Sequence, residues 1–334
     1  MRRSRFAVLL SLLLIFALTA AACGPDDSGD DTLTLYSGRS EELVKPLIDR
    51  FTDETGIKVE VRYGESPELA ATLIAEGGTT DADVFYAQDP ASLGSVDDMF
   101  SPLPDDILEL VDPSYQDRDG LWVGASGRVR VFVYNTDTEL DLPRTIDDVI
   151  NPVWAGQLGV APTNGSFLAF VSAMILDRGE AATSQWLHDL AALDPVDYPS
   201  NAPIVDATDS GEIEGGLVNH YYLLRLRAEG GGASAENWYI PAGDVGTLVM
   251  PAGAGVLANS DNPDAAEQFV RFLLSPDSQE YFATVTFEFP LIDGVSPPEG
   301  APHLDEIPSP DIELSELAGV LPLATQLVAE AGLV

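Results

Sequence analysis

The chain has 334 residues, 45% of them hydrophobic, and a net charge of −39. That length and apolar content suffice for a core spread over two domains. The charge argues against nucleic acid and anionic headgroups as partners, and a single cysteine, Cys23, rules out an internal disulfide scaffold.

Residues 1–22 read as a secretory signal, with "MRRSR" as a positive start, "FAVLLSLLLIFALTA" as the apolar segment and "AAC" as a small-residue cleavage site. Cys23 follows at once. Its position resembles the lipobox of bacterial lipoproteins, in which the cysteine is lipidated and becomes the mature N-terminus, although Ala20 departs from the leucine that motif prefers. The acidic run "GPDDSGDD" completes a flexible tether over residues 23–31.

The folded part opens with a strand, "LTLYS", and a helix, "SEELVKPLIDRFTDETG", whose apolar face is Leu43, Val44, Leu47, Ile48 and Phe51. Ser40 is the expected N-cap, Pro46 an expected kink and Gly56 the stop. A strand, "IKVEVRYG", a helix, "SPELAATLIAEGG", and a third strand, "ADVFYAQ", complete an α/β layer with a parallel sheet. From residue 121 the stretch "LWVGASGRVRVFVYNT" is long and alternating, as a strand crossing between lobes would be. A second α/β set follows, in which "GEIEGGLVNHYYLLRLRAEGG" runs from a strand into a helix. "NWYIPAGDVGTLVMPAGAGVLA" reads as β-rich, and "NPDAAEQFVRFLLSPDSQEYFATV" as a helix pair. Two lobes around a cleft are therefore expected, closing by a hinge. One lobe spans residues 32–130 plus about 245–285, the other residues 131–244 plus about 286–334.

Enzyme motifs are absent: there is no HExxH, GxSxG, CxxC or P-loop. "GAGVLA" at Gly253 fits a dinucleotide fingerprint, but "NSDNPD" stands where the phosphate-binding helix should begin. "DATDSG" at Asp206 lacks the acids of a calcium loop and places Leu217 at its twelfth position. His188, His220 and His303 are too scattered for a histidine metal site. In "SGRVRVFVYNT" the two-residue period puts Arg128, Arg130, Phe132 and Tyr134 on one face and Val129, Val131 and Val133 on the other. The valine face is core; the arginine face is either an anion-lined cleft wall or an ordinary exposed face. In "APTNGSFLAF", Thr163, Asn164, Gly165 and Ser166 precede an apolar helix, where they could hold an anion or simply cap the helix. Tyr221 and Tyr222 adjoin in "GLVNHYYLLR". In a strand their rings would point to opposite faces and in a regular helix they would diverge by about 100°, so convergence requires an irregular junction.

In their order along the chain, "LTLYSGRSEELVKPLIDRFTDETGIKVEV", "DADVFYAQDP", "GLWVGASGRVRVFVYNT", "APTNGSFLAF", "GEIEGGLVNHYYLLR" and "FEFPLIDGV" resemble the ferric-ion-binding proteins, the solute-binding subunits of bacterial iron ABC transporters. The resemblance implies an α/β, two-lobed, type II periplasmic-binding-protein fold with its cleft between lobes joined by hinge strands. It implies Fe3+ bound by Tyr221 and Tyr222, with Tyr134 as a third tyrosine, since Ser40 and Gln88 stand where some members supply a histidine and a glutamate. It further implies an exogenous anion such as carbonate, held by Arg39 with Arg128 or Arg130 as the other candidate. Ser37, Gly38, Thr163, Asn164, Gly165, Ser166, Asn201 and Asn219 would line that anion subsite. Phe289, where the family often shows tyrosine, is given no role. The implied partners are an ABC permease with its ATPase, and the membrane through the lipid anchor; the expected protein is a monomer on the extracytoplasmic face and not an enzyme. The rival reading keeps the fold and replaces iron with a small organic anion or phosphonate on Arg39 and Arg128.

Overall fold

The computed structural model describes residues 32–334, so the signal sequence, Cys23 and the tether lie outside the described residues. Ten strands occur among them: β1 (Thr32–Ser37), β2 (Lys58–Tyr63), β3 (Val84–Ala87), β4 (Phe100–Ser101), β5 (Val123–Asn135), β6 (Leu158–Val160), β7 (Val196–Asp197), β8 (Gly215–Asn219), β9 (Ala235–Trp238) and β10 (Val249–Leu257). Their spatial order is β2-β1-β3-β10-β5-β8-β6-β7, with β4 on β10 and β9 on β5. β1 pairs in parallel with β2 and β3, because each crossover is a helix, Glu41–Thr55 or Ser66–Glu76. The first helix buries Val44, Leu47, Ile48 and Phe51 at helical spacing. Two details differ from expectation. Ser40 makes no side-chain cap, and Pro46 lies inside the helix without ending it, near enough to the N-terminus that few backbone bonds depend on it.

β5 joins the two halves. Val123–Val129 pair antiparallel with β10, whereas Arg130–Tyr134 pair antiparallel with β8, so the strand passes from one sheet to the other between Val129 and Arg130. Its two-residue alternation is the expected one. Val129, Val131 and Val133 pack in a core with Ile204, Val218 and Leu223. The opposite face is buried rather than open: Phe132 meets Trp154 edge-on at 4.9 Å, and the Arg130 guanidinium sits 5.5 Å from the Phe170 ring. The dinucleotide-like "GAGVLA" forms part of β10, which confirms that no phosphate-binding turn exists there.

After a helix pair, Pro263–Leu273 and Pro276–Tyr281, the chain makes a π-turn over residues 282–286 and crosses back to β5, where Phe289 bridges Gly127. The final helix, Leu317–Glu330, packs on helix Gly165–Arg178. No helix among the described residues is long and apolar enough to cross a membrane.

Candidate functional site

The paired tyrosines stand where β8 turns directly into helix Tyr221–Ala228. β8 ends at Asn219, and His220 already has helical dihedrals (φ −53°, ψ −38°), so no loop separates strand from helix. At this abrupt start the two rings lie nearly parallel, with centroids 4.2 Å apart and planes at 28°. The Arg225 guanidinium lies 4.6 Å from the Tyr221 ring. Tyr221 is buried and Tyr222 half-buried. Burial and the adjacent Tyr222 raise the Tyr221 phenol, while Arg128 opposes the rise. A phenol so placed ionises only when a strong cation is beside it.

Besides Arg225, the guanidiniums of Arg39, Arg128 and Arg130 act on the pair, and one carboxylate, Glu288, pairs with Arg39. Arg39, in the turn after β1, is fully buried; its Nη2 donates to Glu288 Oε2 at 2.5 Å and its Nη1 to Gln88 Oε1 at 3.2 Å. Burial opposes its charge, but Glu288 together with the nearby Tyr86 and Tyr221 phenols holds Arg39 charged. Glu288 also accepts from Thr286 Oγ1 at 2.9 Å and Ser126 Oγ at 3.3 Å. Burial pushes its carboxyl up, yet Arg39 and Arg128 leave it below its ordinary value. Neither Arg128 nor Arg130 forms an ion pair among the described residues. Arg128 donates to the Gln88 carbonyl. Arg130 donates to Ser166 Oγ at 3.2 Å and the Leu217 carbonyl at 3.0 Å. With no carboxylate facing it, burial pulls Arg130 down to about 9. The Nε of each of the three arginines is buried without a partner.

Around Arg130 the predicted anion loop assembles. Asn164 caps helix Gly165–Arg178, its Oδ1 accepting from Ser166 N at 3.0 Å and Ser166 Oγ at 2.6 Å. Asn201 Nδ2 donates to Ser166 Oγ at 3.1 Å. Asn219 is the register partner of Arg130. The Oδ1 atoms of Asn201 and Asn219 are buried and unpaired. The capping reading of this loop is therefore realised, and it leaves polar groups over. Gly165 and Thr163 are exposed beside it.

Four residues expected at the site are engaged elsewhere in the structure. Tyr134 is not near the pair: it is opposite Gly215, about 13 Å back along β8 from Asn219 at the usual rise, while the tyrosines lie beyond Asn219's other side. It packs instead on the core around Phe132 and Trp154. Ser37 and Gly38 are consumed by their own turn, not offered to an anion. Ser37 Oγ donates to the Arg39 carbonyl at 3.0 Å, and Gly38 N donates to the Tyr86 carbonyl at 2.8 Å. A Cβ on Gly38 would fall 1.9 Å from Ser66 Oγ, so close packing is what requires glycine there. Arg39, expected at the anion, has both terminal nitrogens committed to Glu288 and Gln88.

Sequence reasoning missed Glu288, Ser126 and Tyr86. Tyr86 lies on β3 beneath Arg39, its hydroxyl buried without a formed hydrogen bond and pushed up to about 12 by burial, against the pull of Arg39. A signal for Glu288 did exist: an acid between two phenylalanines in "FEFP" has to be paired if buried. Elsewhere, a cavity of about 320 Å³ opens on the valine side of β5, lined by Tyr115, Phe289, Leu291 and His303 among others. None of the buried polar atoms without a partner among the described residues belongs to its lining.

The family of bacterial extracellular solute-binding proteins matches residues 37–280. A Fe(3+)-binding periplasmic protein of Serratia marcescens is 32% identical over 97% of this chain and 95% of its own length. The chain belongs to the ferric-ion-binding family of bacterial solute-binding proteins. Another member, iron uptake protein A1 of Synechocystis, is 30% identical over 93% of this chain and 92% of its own. The solved structure of iron-bound HitA from Pseudomonas aeruginosa is 32% identical and superposes with a TM-score of 0.82 over 90% of this chain and 99% of that one. The ferric-ion-binding protein described here accordingly has the type II periplasmic-binding-protein fold, with β5 among its crossing strands.

Proposed function

We propose that this protein captures ferric iron on the extracytoplasmic side of the membrane and delivers it to an ABC permease and its ATPase, carrying out no covalent chemistry. The observation that supports this most is the stacked Tyr221–Tyr222 pair beside Arg128 and Arg130, neither of which forms an ion pair among the described residues. Fe3+ is a hard ion that favours oxygen donors, and its field stabilises phenolate at neutral pH as it does hydroxide and thiolate. Two phenolates leave Fe3+ with a formal positive charge. With Tyr134 distant, an exogenous oxyanion such as carbonate supplies further oxygens and charge. Arg130 is its best cation: it is buried, has no carboxylate, and adjoins Ser166, Asn201 and Asn219. Because phenolates must lose protons to bind, iron is held less tightly as pH falls, which gives a route to release. Lipidation of Cys23, outside the described residues, would keep the protein at the membrane.

The test is the visible spectrum of purified protein titrated with ferric citrate. Phenolate-to-iron charge transfer should colour the wild type, and Tyr221→Phe or Tyr222→Phe should remove most of the colour and retention. A colourless protein that takes up no iron would instead favour an organic oxyanion as cargo, a reading motivated by the unpaired Arg128 and Arg130.

A further inference from the structure

His220 is fully buried between the segments that build the site, and the proposed iron chemistry does not use it. The β5–β8 register pairs Arg130 with Asn219, so Val129 and His220 come next in the ladder. An uninterrupted antiparallel pair would exchange two backbone hydrogen bonds there. One is made, from His220 N to the Val129 carbonyl at 3.0 Å. The other cannot be made: His220 has already turned into the helix, and its carbonyl accepts from Asn237 Nδ2 at 2.8 Å. The imidazole takes the vacant role, with Nδ1 accepting from Val129 N at 3.2 Å.

A backbone N–H can only donate, so Nδ1 is unprotonated and the ring's proton is on Nε2. That atom lies 2.8 Å from the carbonyl of Phe287 and donates to it. Phe287 is one of two non-glycine residues with positive φ among the described residues, at 58°. This turn directs the next residue, Glu288, at Arg39. The imidazole also packs 4.6 Å from the Phe289 ring and edge-on, at 5.9 Å, to Tyr221.

We propose that His220 is a positioning residue, its neutral imidazole replacing the missing ladder acceptor and tying the tyrosine pair to the hinge strand and to the turn that carries Glu288. It touches no iron. It fixes where the Tyr221 and Tyr222 rings leave the strand, relative to the point where β5 changes sheets. The inference rests on the iron reading only for its metal-dependent consequences; the backbone link stands apart from it.

The experiment therefore has an iron-free arm and an iron arm, using His220→Leu, which removes both ring bonds, and His220→Asn, which retains an acceptor near Nδ1 but cannot reach Phe287. In iron-free protein, amide hydrogen exchange should speed up at Val129 in His220→Leu and stay near wild type at Val129 in His220→Asn. Both variants should lose protection in residues 286–289. In the iron arm, His220→Leu should shift the charge-transfer band and release Fe3+ to a chelator about 10–100-fold faster, the range seen when groups supporting a metal ligand are removed. His220→Asn should fall between the two. A His220→Leu protein with a wild-type spectrum, release rate and Val129 exchange overturns the proposal. If His220→Leu does not fold, His220→Asn decides alone: wild-type behaviour in both arms overturns the link to Phe287. A wild type that shows no tyrosinate band refutes the iron reading, and the exchange arm still tests the backbone link.

Discussion

Arg39 and Arg130 are both buried arginines on the same site, and they are opposites. Arg39 reaches across the chain to Glu288, whose carboxylate is further held by Thr286 and Ser126, so its charge is balanced internally. Arg130 has a hydroxyl, a carbonyl and two aromatic faces, but no carboxylate. A buried cation without an anion is costly unless a ligand supplies one. The first arrangement completes a structure; the second completes a site only when loaded. On the proposed function, Arg39 is a structural partner of Glu288 and Arg130 the cation for the exogenous anion, the reverse of the order suggested by family resemblance.

That contrast can be broken by mutation. The largest effect is expected for Arg39→Leu, which leaves Glu288 buried and unpaired: iron-free stability should drop by about 3–5 kcal/mol, read by chemical denaturation. The double variant Arg39→Leu, Glu288→Leu should recover much of that loss, since neither charge then remains. Arg130→Leu should behave differently. Its iron-free stability should hold or rise, while iron affinity should fall and stop responding to bicarbonate, measured by titration in degassed, non-coordinating buffer. A smaller effect is expected for Asn201→Ala or Asn219→Ala, each removing an amide NH2 donor near Arg130; we expect about 1–2 kcal/mol of iron-plus-anion affinity, with little change in its absence. Tyr134→Phe should leave the spectrum and affinity unchanged. If Tyr134→Phe bleaches the colour, the loaded protein rearranges β5 against β8.

Much of this was legible in the sequence, and the failures have a common cause. Local periodicity gave β1, β2 and β3 with their crossover helices, and it sorted β5 into a valine face and an arginine face. Faces are local; distances along a paired strand are not. Tyr134 shares its face with Arg130, but antiparallel pairing sends it to the opposite end of β8 from the tyrosines. The Arg39–Glu288 pair joins residues 249 positions apart, which no spacing rule could connect. His220 was set aside because it had no histidine neighbours; its work is to replace a backbone acceptor, a role visible only once the ladder register is known.

Iron capture as proposed depends above all on Tyr221 and Tyr222 binding the metal as phenolates. Resonance Raman spectroscopy of the ferric protein, excited within the visible band, tests this directly. Enhanced tyrosinate ring vibrations are expected in the wild type, weakened in Tyr221→Phe and in Tyr222→Phe and lost when both are changed, whereas Tyr134→Phe keeps them at full strength. Iron bound at one equivalent without any tyrosinate enhancement would contradict it.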